Sequence, residues 1–152
     1  MAGSGSKPHA DREHLIMTTG TVPSLTNDQR YLADVHAPHD ARRHVRARLG
    51  QWGLTGIADA TELVSSELVT NAVNASMGGE IALQLAHTRW SVIVKVWDDS
   101  PEPPKPRDAD LHAENGHGLE LVEALTFRWG YYFADSGGKI VWAEILKEQA
   151  AP

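Results

Sequence analysis

The chain has 152 residues, 41% of them hydrophobic and 22% charged, which suits one domain with a core of its own. A formal net charge of -6 and a pI near 5.7 argue against a protein that coats nucleic acid, because that affinity comes from neutralising phosphates. The absence of cysteine excludes disulfides, thiolate catalysis and thiolate metal sites, and fits a reducing cytosol.

Residues 1–28 are rich in Gly, Ser, Thr and polar side chains with no sustained periodicity and read as a flexible N-terminal arm. The domain is placed at 29–148, with a short tail at 149–152. In QRYLADVH, residues 29–36, Tyr31, Ala33 and Val35 alternate with polar neighbours, the period of a strand. PHDARRHVRARLGQW puts Pro38 near a helix start, spaces Ala41, Val45 and Leu49 by four, and has Gly50 and Gly53 near its end. A second helix is expected over about 57–76, stopping at Gly78 and Gly79. EIALQLAH alternates Ile81, Leu83 and Leu85, whereas SVIVKVW is apolar on both faces except at Lys95, the mark of a central strand.

The composition then shifts. DDSPEPPKPRDADLHAEN, residues 98–115, holds four prolines and almost no large apolar side chain, so it reads as a long loop. GHGLELVEAL opens with two glycines and continues as an amphipathic helix. FRWGYYFAD and GGKIVWAEIL form a closing pair of strands around a turn at Ser136, Gly137 and Gly138. No run of about 18 apolar residues and no signal-like N-terminus is present, so the chain is expected to be soluble and cytoplasmic, with no membrane or direct nucleic-acid partner.

Three features point to a binding site. In ELVSSELVTNAVNAS, residues 62–76, Glu67, Asn71 and Asn74 fall within roughly 60° of one another at about 100° per residue. A polar edge reaching water explains any one of them, but a row flanked by Leu63, Val64 and Leu68 would bury groups that need partners. The long loop starts at Asp98, after a strand, and ends at glycines that open a helix, where unpaired N–H groups suit an anion. Alone, Asp98 serves equally as a loop-initiating residue, and Gly116-His117-Gly118 as a turn or cap. Together they suit nucleotide chemistry. An Asn oxygen with phosphate oxygens fits Mg²⁺, a nearby Glu can orient or deprotonate an attacking hydroxyl, and an Asp can accept a hydrogen bond from an exocyclic amine.

In serial order these motifs resemble the GHKL ATPase superfamily, and within it the anti-sigma-factor serine/threonine kinase branch. ELVTNAVNAS resembles the Asn box, VWDDSPEPP the first glycine box, NGHGLELVEAL the second, and GGKIVWAEI the closing strand, over about residues 30–147. The resemblance implies an α/β two-layer sandwich of the Bergerat type, with a mixed, mostly antiparallel sheet covered by helices on one face. It implies ATP and Mg²⁺ as cofactors, Glu67 as the catalytic carboxylate, Asn71 as the Mg²⁺ ligand, and Asp98 as the partner of the adenine amine. Gly116 and Gly118 would bring backbone N–H groups to the phosphates, with Asn74, His117, Leu119 and Lys139 among the nucleotide-contacting positions and residues 99–115 as a lid. A sigma factor and an antagonist protein are the implied partners, and a homodimer is open.

The chain also departs from the family pattern. Asp-x-Gly-x-Gly is here Asp98-Asp99-Ser100-Pro101-Glu102, which removes both glycines, and Glu102 adds negative charge. Asn74 and Ala75 stand where relatives often carry a basic or glycine-adjacent pair, and Lys139 stands where Thr is frequent. A partner-switching module with weak or lost catalysis is therefore the second reading. The eight histidines are scattered, and His36 and His39 straddle a strand end and Pro38, which argues against a structural metal. Arg42, Arg43, Arg46 and Arg48 make a basic helix segment, either a solvated face or a surface for an acidic partner. PEPPKP reads as a stiffener of the lid, and the five tryptophans as core and rim residues.

Overall fold

The computed structural model describes residues 29–76, 78–105 and 118–148. The N-terminal arm, the tail and the expected sites at Gly116 and His117 lie outside these residues.

Strand β1 (Gln29–Leu32) leads into helix α1 (Ala37–Trp52). A single 3-10 turn (Thr55–Ile57) then enters helix α2 (Ala58–Ser76), followed by β2 (Glu80–His87) and β3 (Ser91–Asp98). Helix α3 (Gly118–Leu125), β4 (Arg128–Phe133) and β5 (Lys139–Leu146) complete the order. Among the described residues one five-stranded sheet runs β1-β2-β3-β5-β4, with all four pairings antiparallel. β3 occupies the centre, as its two-sided apolar pattern predicts.

The first strand is shorter than its alternation predicts. The Asp34 side chain accepts the His36 N–H at 2.9 Å, and the Ala37 N–H reaches the Asp34 carbonyl at 3.1 Å. This Asx-type turn bends the backbone out of the sheet before Val35, which is 81% exposed. It leads directly into α1, where Pro38 sits in the first turn without forfeiting a helix hydrogen bond. At the other end Gly53 takes φ of 73° and its N–H closes on the last-turn carbonyls, while the Leu54 N–H bonds to the Leu49 carbonyl at 2.9 Å.

The three helices of the described residues form one layer over the sheet, with α2 packed on the sheet and against both α1 and α3. α2 is buried along Val64, Leu68, Val69 and Ala72, and α1 presents Ala37, Ala41, Val45 and Leu49 to the same core. From the sheet, Leu83, Val94, Val96, Val141 and Ala143 are buried in the core. Each fully buried Leu or Val contributes about 1.5–3 kcal/mol relative to exposure. Of the tryptophans, Trp129 and Trp142 are buried, Trp52 and Trp97 half-buried and Trp90 exposed.

Two turns close the antiparallel pairs, and the second lies beside the site. Thr88 Oγ1 accepts the N–H groups of Trp90 and Ser91 at 3.0 and 2.9 Å and closes the β2–β3 hairpin. Gly137 and Gly138 both take positive φ in the β4–β5 turn, and the Trp97 indole donates to the Gly137 carbonyl at 2.9 Å. A Cβ at Gly138 would run into the Asp98 carbonyl oxygen and the Trp97 indole, so glycine there lets β5 begin close against the end of β3.

Candidate functional site

Asp98 ends β3, Lys139 begins β5, and the two are register partners in the antiparallel ladder. The sheet parity that turns Val96 and Val141 into the core turns Asp98 and Lys139 toward the helices as well. Both side chains are 2% exposed, and Lys139 Nζ donates to Asp98 Oδ1 at 2.9 Å. The Ser100 N–H donates to the same oxygen at 2.9 Å. Burial pushes the Asp98 carboxyl above its ordinary range; the hydrogen bonds from Lys139 and Ser100 and the Lys139 charge offset this only in part.

Above this pair lies a cavity of about 370 Å³. Asn71, Asn74 and Ala75 of α2 form one wall, Asp98, Lys139 and Val141 the floor, and Ser100, Glu102, Pro103, Pro104 and Lys105 the rim. Asn71 is half-buried, and its Nδ2 is buried without a hydrogen-bond partner. A buried amide left in this way calls for a ligand or a water, and exchanging its O and N atoms presents an oxygen at the same place. Asn74 is exposed at the cavity mouth.

The structure thus brings together four of the residues predicted from sequence: Asn71, Asn74, Asp98 and Lys139. Glu67 is half-buried on α2, four residues before Asn71, and lies outside the cavity lining. That spacing is one helical turn, about 6 Å along the axis, so Glu67 belongs to the same stripe further from the floor. Gly118 is the first residue of α3 and is buried; Leu119 packs against the hydrophobic core.

Pattern reading did not foresee the rim. With both glycines replaced, the chain after Asp98 holds itself by side-chain-to-backbone bonds. Asp98 accepts the Ser100 N–H, and Ser100 Oγ in turn accepts the Glu102 N–H at 3.0 Å. These successive turns use the residue types that favour them. Glu102 and Lys105, ion-paired at 3.5 Å, both line the cavity, together with Pro103 and Pro104.

Chemically, the floor offers a carboxylate and an ammonium for a polar heterocycle, and the α2 wall offers amides. Among the described residues no three His, Asp or Glu side chains are grouped to hold a metal ion. Mg²⁺ held by one Asn oxygen and phosphate oxygens needs no such group, and the orphaned Asn71 amide fits that role. No helix of the described residues is long and apolar enough to cross a membrane.

Residues 32–145 match the family model described as the histidine kinase-like ATPase domain. Among solved structures the chain is similar to the Acinetobacter baumannii histidine kinase AdeS, at 19% identity over 91% of this chain and 76% of that one, with a TM-score of 0.43. At that score neither fold detail nor chemistry is carried across. The sequence matches no curated protein at a significant level.

Proposed function

The chain belongs to the histidine kinase-like ATPase domain family, and from that membership we propose that it is an ATP-binding regulator that transfers the γ-phosphate to a Ser or Thr of an antagonist protein and thereby controls a sigma factor. The observation that carries the nucleotide reading is the cavity in which Asn71 and Asn74 face Asp98 across the space between α2 and the sheet. Asp98 accepts the exocyclic amine of adenine and fixes the base at the floor. Asn71 is the residue that would hold Mg²⁺, which when bound supplies charge neutralisation at the phosphates. Glu67, one turn along α2, takes the proton of the attacking hydroxyl as its oxygen bonds to the γ-phosphorus and the bond to the β–γ bridging oxygen breaks, releasing ADP.

Two observations favour a second reading, a partner-switching module that binds its partners without phosphorylating them. Glu67 stands outside the cavity lining, and the segment after Asp98 lacks both glycines of the family motif. Radiolabel from γ-labelled Mg-ATP separates the two. The kinase reading expects label on a Ser or Thr of a sigma-factor antagonist from the same genome, lost in Glu67→Ala. Capture of that antagonist without ATP, and without labelled product, supports the module instead.

A further inference from the structure

The Asp98–Lys139 pair holds more hydrogen-bonding capacity than it uses. An ammonium carries three donors, and a carboxylate accepts at both oxygens. Lys139 Nζ gives one N–H to Asp98 Oδ1, which also takes the Ser100 N–H. Among the described residues this leaves two N–H groups of Lys139 and the whole of Asp98 Oδ2 without a partner. Both side chains are 2% exposed, and both line the cavity. Polar groups at a cavity wall take their partners from water or a ligand, and here the cavity is the space from which a partner can come.

A counter-ion role for Lys139 accounts for one of its three donors. It does not account for an ammonium set in the floor of a cavity beside a carboxylate oxygen that is still open. Side by side, an open acceptor and an open donor form the complement of a heterocycle edge with a donor next to an acceptor. The amine and adjoining ring nitrogen of a 6-aminopurine are such an edge. We propose that Lys139 is a base-reading residue, donating to the purine N1 while Asp98 Oδ2 accepts from the 6-amino group. This rests on the ATP-binding reading and adds to it a second, charged determinant of base recognition. A 6-oxopurine in the same orientation presents an oxygen to Asp98 Oδ2 and an N–H to Lys139, and both contacts are repulsive.

The test compares ligands on one protein, so that a variant's stability does not enter the comparison. Calorimetric titration of the full chain with the Mg²⁺ complexes of ATP and of 1-deaza-ATP, in which N1 is replaced by C–H, reads the N1 contact directly. 7-Deaza-ATP serves as a control that alters the ring elsewhere. A hydrogen bond to a charged donor corresponds to a preference of about ten-fold or more for ATP over 1-deaza-ATP. Binding of 7-deaza-ATP should stay within about two-fold of ATP. In Lys139→Met the ATP preference should fall to about two-fold or less, and in Lys139→Gln, a neutral donor, an intermediate preference should remain. Equal affinity of the native chain for ATP and 1-deaza-ATP overturns the role of Lys139 and leaves the nucleotide reading standing. A native chain that binds neither ligand overturns both. If Lys139→Met does not fold, the native comparison and Lys139→Gln decide the matter.

Discussion

Replacing Lys139 by Met isolates the energetics at the cavity floor. Two unit charges 2.9 Å apart attract by roughly 6 kcal/mol at an effective dielectric of about 20. Withdrawing each of them from water costs several kcal/mol, so the pair as a whole lies near balance. Lys139→Met removes the attraction but keeps the desolvation of Asp98, whose side chain stays in a site 2% exposed. The expected loss at neutral pH is about 3–5 kcal/mol. The double variant Lys139→Met/Asp98→Leu, which removes both charges, should return to within about 2 kcal/mol of the native chain. The single variant's deficit also depends on pH in a defined direction. Without Lys139 the Asp98 carboxyl is raised further above its ordinary value of 3.8, so its penalty is full above the folded value and is relieved as pH falls toward 3.8. Urea unfolding followed by tryptophan fluorescence measures all three chains. A single-variant deficit below about 1 kcal/mol, or a double variant no more stable than the single one, would show that Asp98 is not left as an uncompensated buried charge.

Gly138→Ala should destabilise the fold by about 3 kcal/mol. It places a Cβ against the Asp98 carbonyl and Trp97 at a residue with φ of 79°, and thermal unfolding reads the loss. His44 on α1 has its pKa lowered by burial and then by Arg48. Its folded value lies below the ordinary 6.5, so stability is intact above about pH 6.5 and declines as pH falls through the folded value. His44→Gln should flatten that part of the melting-temperature profile between pH 7 and 5, and an unchanged acid slope would show that other groups set it.

Much of the fold is legible because the apolar periods are clean. The i, i+4 row Ala41, Val45 and Leu49 and the alternation Ile81, Leu83 and Leu85 each admit one element type, and SVIVKVW identifies its own central place. The end of β1 is less legible, because Tyr31, Ala33 and Val35 keep the strand period while the Asp34 side chain ends the strand by a local bond that period does not encode. At the site, the stripe Asn71 and Asn74 and the strand end Asp98 can be read from spacing and chain order. The Asp98–Lys139 pair depends on β3 and β5 being neighbours across an intervening helix and strand, a long-range fact. One local sign of it exists: with Val141, Ala143 and Ile145 facing the helices, parity places Lys139 on the core face, where an unpaired ammonium is not tolerated. The rim turns at Ser100 and Glu102 follow from residue types that favour side-chain-to-backbone bonds, a signal obscured by comparison with a glycine motif.

The cavity between α2 and the ends of β3 and β5 is proposed as an adenine-nucleotide site. Calorimetric titration of the purified chain with Mg-ATP, beside Mg-GTP and an Asp98→Asn variant, tests it most directly. Saturable binding of ATP, weaker binding of GTP and loss of ATP binding in Asp98→Asn are expected. Because that variant leaves the buried Lys139 ammonium without its counter-ion and is less stable, its folding is checked by circular dichroism, and the comparison of ATP with GTP on the native chain decides if it does not fold. No saturable heat at millimolar Mg-ATP, or ATP binding unchanged by Asp98→Asn, would contradict the assignment.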